Sequence, residues 1–213
     1  MPRKKIQMSS KFPYHISARC INREWFDLPL NEVWLIMEDY LYFVTAAYDL
    51  AISSFVLMSN HFHLIAEAPS GNLSEAMTYF MRETSRAIGK AAGRINQTYG
   101  ARYRRTLISR RLHFQYAYKY VYRNPVKAGL VSRVEDYQYS TLPGLLGKFK
   151  INIPIVEDSI LFSDDPRKVL DWLNCPPDGQ VEEDVRKAIR RSLFRFPTHN
   201  SNRKSKLEET LLY

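Results

Sequence analysis

Apolar and polar residues alternate from residue 12 to residue 19, with Phe12, Tyr14, Ile16 and Ala18 on one face and His15, Ser17 and Arg19 on the other. That is the period of a half-buried strand. Val33, Trp34, Met37 and Leu41 then fall at helical spacing after Pro29, which predicts a helix over residues 31–43. Residues 51–58 and 61–68 read as two strands joined tightly around Ser59 and Asn60, a hairpin. Asn72 can cap a long helix with Glu75 three residues on, and Leu73, Met77, Phe80, Thr84, Ile88, Ala91 and Ile95 form its buried stripe up to Gly100. Residues 103–109 predict a fourth strand. A helix over residues 113–123 follows, closed by Pro125, which disfavours helical backbone at the residue before it. The order β-α-β-β-α-β is that of the α+β ferredoxin-like split βαβ fold, an antiparallel sheet with helices on one face and the other face free for a ligand.

Beyond residue 140 the pattern loosens. Residues 142–147 and 174–179 read as turns or linkers around a short helix near residues 166–173. A last helix carries Val181, Val185, Ala188 or Ile189, and Leu193, with Glu182, Glu183 and Asp184 near its start and Arg186, Lys187, Arg190 and Arg191 toward its end, a polarity that suits the helix dipole. A polar tail runs from Thr198 to Glu209. The chain of 213 residues, 45% of them hydrophobic, is therefore expected to form one main domain over residues 1–145, with a C-terminal extension over 146–213.

Charge sharpens the picture. Residues 82–133 hold thirteen Lys or Arg against one acid, Glu83, so that the rest of a chain of net charge +9 is net negative. Arg82, Arg86, Lys90 and Arg94 recur every four residues without a matching carboxylate stripe, which suits a polyanion gripped at one face better than a merely solvated helix. Cys20 and Cys175 stand far apart without a C-x-x-C, no apolar run reaches the length of a membrane span, and the basic start of the chain lacks an apolar segment after it. These features point to the cytoplasm and away from a membrane or an export signal.

The candidate chemistry lies in two places. His61-Phe62-His63 puts two imidazoles at i and i+2 of a strand, on one face, where they can converge on a divalent cation; an isolated H-x-H is more often a pair of ordinary strand histidines. Four tyrosines recur at 116, 118, 120 and 122, and of these Tyr120 stands one helical turn before an amide, Asn124. An Asn oxygen can complete a site begun by two imidazoles and leave positions open for a phosphate oxygen, with Tyr120 as the nucleophile beside it. His15, a residue of the first strand that could share that face, is left outside the metal set, and Glu67 is a weak candidate for a supporting or DNA-proximal role. His113 and His199 have no partner at ligand spacing.

These motifs together resemble the HUH-type single-tyrosine transposases, and within them the REP-associated tyrosine transposases of bacteria. Phe12-Pro-Tyr-His-Ile-Ser-Ala-Arg19 looks like the opening strand of that family and Val56-Leu-Met-Ser-Asn-His-Phe-His-Leu64 like its metal strand. Gly71-Asn-Leu-Ser74 resembles the start of its long helix, Tyr103-Arg-Arg-Thr-Leu-Ile108 the segment after it, and Tyr120-Val-Tyr-Arg-Asn-Pro-Val-Lys-Ala-Gly-Leu-Val131 its tyrosine motif. The likeness covers about residues 12–145, and Asn124 in place of the glutamine usual in insertion-sequence relatives favours the REP-associated branch. It implies His61, His63 and Asn124 as metal ligands, Tyr120 as nucleophile, and Mg²⁺ or Mn²⁺ as cofactor. The implied substrate is single-stranded DNA with palindromic hairpins and a short flanking tetranucleotide, cut and rejoined through a 5′-phosphotyrosine without a nucleotide cofactor, by a cytoplasmic, nucleoid-associated protein. Arg19, Arg82, Arg86, Lys90, Arg94, Arg104, Arg105, Arg123 and Lys127 are the expected DNA contacts. His15 and Glu67 are the expected supporting residues. Relatives include monomers and homodimers, so both stay open. Two rival classes also stand: a non-catalytic ferredoxin-like module that binds single-stranded DNA or RNA, and a metal-dependent phosphodiesterase that uses water.

Overall fold

A computed structural model describes residues 9–156 and 165–197. Four strands, β1 (Tyr14–Arg19), β2 (Ala51–Met58), β3 (His61–Glu67) and β4 (Arg104–Leu107), form one sheet in the order β2-β3-β1-β4, with every pairing antiparallel. Helices α1 (Leu30–Tyr48) and α2 (Leu73–Ala91) connect them. Element order and strand order together are those of the ferredoxin-like arrangement read from the alternation. Because successive side chains point to opposite faces, Tyr14, Ile16, Phe62 and Leu64 turn to α1 and α2, where they meet Met37, Leu41, Met77 and Phe80 in a closed apolar core.

The opposite face is not left bare. Helix α3 (Arg111–Lys127) packs there against Val56, Met58 and Ile65, and with it come α5 (Pro166–Asn174) and α6 (Gly179–Ala188), whose Val169, Leu173, Val181 and Val185 join Tyr118, Val121 and Tyr122 in a second core. Helices thus lie on both faces, and the expectation of a free face is corrected to an open area beside α3. The reason can be read in β2, where residues 54–58 are all buried: a strand apolar on both faces has to be covered on both. The extension also lengthens the sheet. Leu107 N donates to Ser192 O at 3.0 Å and Phe194 N to Leu107 O at 2.9 Å, a parallel bridge at the edge of β4. The boundary expected at residue 145 is therefore crossed by a continuous core.

Several element ends differ from the pattern reading. Helix α1 continues to Tyr48 and stops at Asp49 in a left-handed conformation. Helix α2 stops at Ala91, just before Gly93 at φ 65°, so Ile95 is fully exposed and not part of a buried stripe. Asn72 occupies the cap position of α2 but its side chain caps nothing; Glu75 N is satisfied by the Asn72 carbonyl. Residues 142–145, read as a turn, form one short helical turn, α4 (Leu142–Leu145). Most consequential is α3, which runs straight through Pro125 to Lys127. Proline has no N–H for the Val121 carbonyl one turn back, and the Asn124 side chain replaces it: its Nδ2 donates to Tyr120 O at 2.8 Å and to Val121 O at 3.4 Å. His199 and the polar tail lie outside the described residues.

Candidate functional site

Strand parity assembles the site. His61 and His63 on β3 share a face with His15, Ser17 and Arg19 on β1, in a register that sets Ser17 opposite His63 and Arg19 opposite His61. His15 stands opposite Ile65, so His63 is its diagonal neighbour, within reach of a ring. The two rings stack at 5.1 Å between centroids and bond through His15 Nε2 and His63 Nδ1 at 2.9 Å. The His61 ring stands edge-on to His63, also at 5.1 Å.

A hydrogen-bond chain fixes the His61 tautomer. Asn60 Nδ2 donates to Arg23 O at 2.7 Å, which turns Asn60 Oδ1 toward His61 Nδ1, 2.7 Å away. An amide oxygen only accepts. The proton therefore sits on His61 Nδ1 and the lone pair on Nε2. Burial lowers the pKa of His61 to about 4, assisted by the Arg19 charge, and that of His15 to about 4; His63 is held well below its usual value by burial and by the neighbouring His15, His61 and Arg19. Three neutral imidazoles with their δ nitrogens or partners already engaged are in the state a divalent cation requires. Among the described residues no three His, Cys, Asp or Glu side chains gather around one point, so a cation here would draw its remaining ligands from an amide such as Asn124 and from substrate oxygens. The Asn124 Nδ2 is spent on the helix backbone, so Oδ1 is the atom of that amide that could face a cation.

Helix α3 sorts the four tyrosines. Tyr116, Tyr118 and Tyr122 are buried, Tyr122 with its hydroxyl 2.8 Å from Thr141 Oγ1 and its ring against Tyr118. Tyr120 is only half-buried. Its ring meets His63 edge-on at 5.7 Å and His15 at 6.4 Å, and its hydroxyl makes no hydrogen bond among the described residues. Burial raises its pKa, while the charges of Arg190, Arg186 and Arg19 act to lower it. A shallow cleft between α3 and α6 is lined by Tyr120, Asn124 and Lys127 on one side and Val181 and Glu182 on the other.

The expected DNA contacts divide between the faces. Arg19 and Arg104 lie on the face of the histidines, in register with it through Ser17. Arg123 and Lys127 share α3 with Tyr120, but Arg123 donates to the last carbonyls of α5, Leu173 O and Asn174 O, and Lys127 pairs with Glu182 at 2.5 Å. Arg82, Arg86 and Lys90 are on α2, behind the sheet, with Arg82 and Arg86 paired to Glu83; Arg94 just past it pairs with Asp27 and Glu24, and Arg105 reaches back to Ser74 on α2 at 3.1 Å. The charge run is thus not gathered beside Tyr120: helical spacing finds a common stripe but not the side of the sheet it lies on. Glu67 sits at the far end of β3 from His61. Arg186 and Arg190, read only as dipole-compensating, are the cations that the sequence placed in the wrong context; their signal was i, i+4 spacing at the end of an amphipathic helix.

A ferredoxin-like sheet with two histidines on one strand is thus faced by a helix that carries one partly buried tyrosine and an amide a turn later. The description of IS200-like transposases matches residues 8–124, and the chain belongs to that family. The solved structure of a REP-associated tyrosine transposase bound to a REP hairpin has the same fold, with 20% sequence identity, 74% of this chain and 96% of that chain covered, and a TM-score of 0.57. No curated protein matches the chain.

Proposed function

We propose that the protein cleaves and rejoins single-stranded DNA beside hairpins, with Tyr120 as nucleophile. The Tyr120 oxygen attacks a phosphodiester, the Oη–P bond forms as the P–O3′ bond breaks, and the products are a 5′-phosphotyrosine and a free 3′-hydroxyl; the reverse step with another 3′-hydroxyl rejoins the strand. The observation that carries this reading is the sorting of α3: of its four tyrosines, three are buried, and the partly exposed Tyr120 stands edge-on to His63 at 5.7 Å. His61 and His63 through Nε2 and Asn124 through Oδ1 are the residues that would hold a Mg²⁺ or Mn²⁺ ion, which when bound supplies the positive charge that polarises the phosphate.

His15 holds the His63 ring, Asn60 holds the His61 ring, and Arg19 adds fixed positive charge to the same face. The hairpin substrate is supported by family membership and by the REP hairpin held in the structure of similar fold. Among the described residues no helix is long and apolar enough to cross a membrane, and a DNA substrate fits a cytoplasmic protein. Incubation of labelled single-stranded hairpin DNA with Mn²⁺ should give an SDS-resistant protein–DNA adduct that Tyr120→Phe abolishes. Cleavage without an adduct would mean water is the nucleophile, and hairpin binding without cleavage would mean a binding module.

A further inference from the structure

The loop that leaves β1, residues 20–28, is the most constrained irregular segment near the histidines. Cys20 N donates to Asn60 O at 2.9 Å, Ile21 N to Thr98 O at 3.0 Å, and Gly100 N to Arg19 O at 3.1 Å. Arg94 pairs with both Glu24 and Asp27, and Phe26 is buried in the core between α1, α2 and the sheet. Asn22, Arg23 and Asp27 all hold positive φ, at 53°, 62° and 58°, a conformation L residues keep only where surrounding contacts impose it. Yet this pinned loop presents Trp25 with 72% of its surface to water, while Trp34 is buried. A loop with freedom to relax would fold the indole away; here Phe26 anchors inward and Trp25 is held outward.

Its surroundings indicate what it meets. Arg23 and Arg19 are exposed and make no ion pair among the described residues, while the two nearby acids are engaged by Arg94. An outward indole on a loop that begins beside Arg19 and carries Arg23, both without an ion pair among the described residues, is a combination suited to an unstacked base and its phosphates. The loop is also wired to the histidines: the Asn60 side chain that accepts from His61 Nδ1 donates to the carbonyl of Arg23, two residues before Trp25.

We propose that residues 20–28 form a nucleobase-stacking subsite in which Trp25 receives a base of the single-stranded segment flanking the hairpin, with Asn60 joining that subsite to His61. This rests on the reading that single-stranded DNA crosses this face. Alanine replacement of a stacking aromatic costs a fold-change of about 5 to 150 in affinity per base.

The test is fluorescence anisotropy on the full chain in EDTA, where cleavage does not compete, with three probes: a hairpin carrying a four-nucleotide single-stranded tail, the same hairpin with a blunt end, and the tailed hairpin with abasic tail positions. Trp25→Ala should weaken binding of the tailed hairpin within that range and leave the blunt and abasic probes unchanged, and Trp25→Phe should restore most of the loss. Equal affinity of Trp25→Ala and the parent chain for the tailed hairpin, or equal losses on tailed and blunt probes, would overturn the subsite. The strand-transfer reading fails separately, if Tyr120→Phe still forms the adduct, and a parent chain that binds none of the probes would remove both.

Discussion

Replacing tyrosines of α3 one at a time should separate chemistry from stability, because the structure gives Tyr120 and Tyr122 opposite circumstances. The Tyr122 hydroxyl lies 2.8 Å from Thr141 Oγ1, which also accepts from Phe55 N at 2.9 Å, and both side chains are fully buried. Tyr122→Phe deletes that bond without leaving Thr141 wholly unsatisfied, a cost of about 1–2 kcal/mol. For a chain of this size that is a fall of about 2–8 °C in melting temperature. Tyr120 has no hydrogen bond to lose, so Tyr120→Phe should change stability by less than about 0.5 kcal/mol. Adduct formation on labelled hairpin DNA should show the reverse order: none for Tyr120→Phe, and a level close to the parent chain for Tyr122→Phe when assayed well below its melting temperature. Thermal melts and SDS gels on the same two preparations decide the matter. An adduct from Tyr120→Phe, or its loss in a folded Tyr122→Phe, would refute the assignment of the nucleophile.

His61→Ala and His63→Ala should each abolish Mn²⁺-dependent cleavage and chelation should do the same to the parent chain; full activity of either variant in chelated buffer would remove the metal from the reaction. Asn124→Ala loses its bonds to the Tyr120 and Val121 carbonyls, so it should lower stability by about 1–2 kcal/mol as well as weaken cleavage, and an unchanged melting temperature would show that Pro125 is tolerated without it. Charge reversal at Arg86 and Lys90, behind the sheet, should weaken DNA binding and flatten its salt dependence less than charge reversal at Arg19 and Arg104 on the histidine face, without moving the cleavage position, as read on sequencing gels; a shifted position would mean that this face reads sequence. Phe194→Ala, in the core shared by the extension and α3, should cost about 3–5 kcal/mol in a denaturant melt, whereas a separately folded extension would leave the main transition untouched.

The strands were legible because alternation is local: β2 and β3 begin at the residues where the pattern places them, and the parity that puts His61 and His63 on one face follows from spacing alone. Helix ends were less legible because each is decided by contacts outside the pattern, at Asp49 and Gly93 by left-handed backbone and at Pro125 by a side chain that repairs the missing bond. His15 was legible only as a supporting residue on the histidine face, not as the partner of a particular ring. Its partnership with His63 exists only once β1 is laid antiparallel to β3 in a register that makes them diagonal neighbours. The basic run misled in the same way, since a stripe on α2 and a residue on β4 are joined in sequence by sign of charge and separated in space by the sheet.

The same separation bears on the charge around Tyr120, the proposed nucleophile. Partial burial of the Tyr120 phenol raises its pKa and works against attack at neutral pH. The opposing charges come from Arg19 on β1 and from Arg186 and Arg190, which lie beyond residues 8–124, the stretch matched to the family description. Those two arginines hold their places because α6 packs on α3 and because Thr106, the cross-strand partner of His15, donates to Ile189 O at 2.6 Å and Arg191 O at 2.7 Å, on either side of Arg190. The edge strand that bears a partner of His15 thus also fixes the cation beside Tyr120. The extension is for that reason part of the electrostatics of the site, and removing it would strip charge from around Tyr120 as well as apolar cover from the second core.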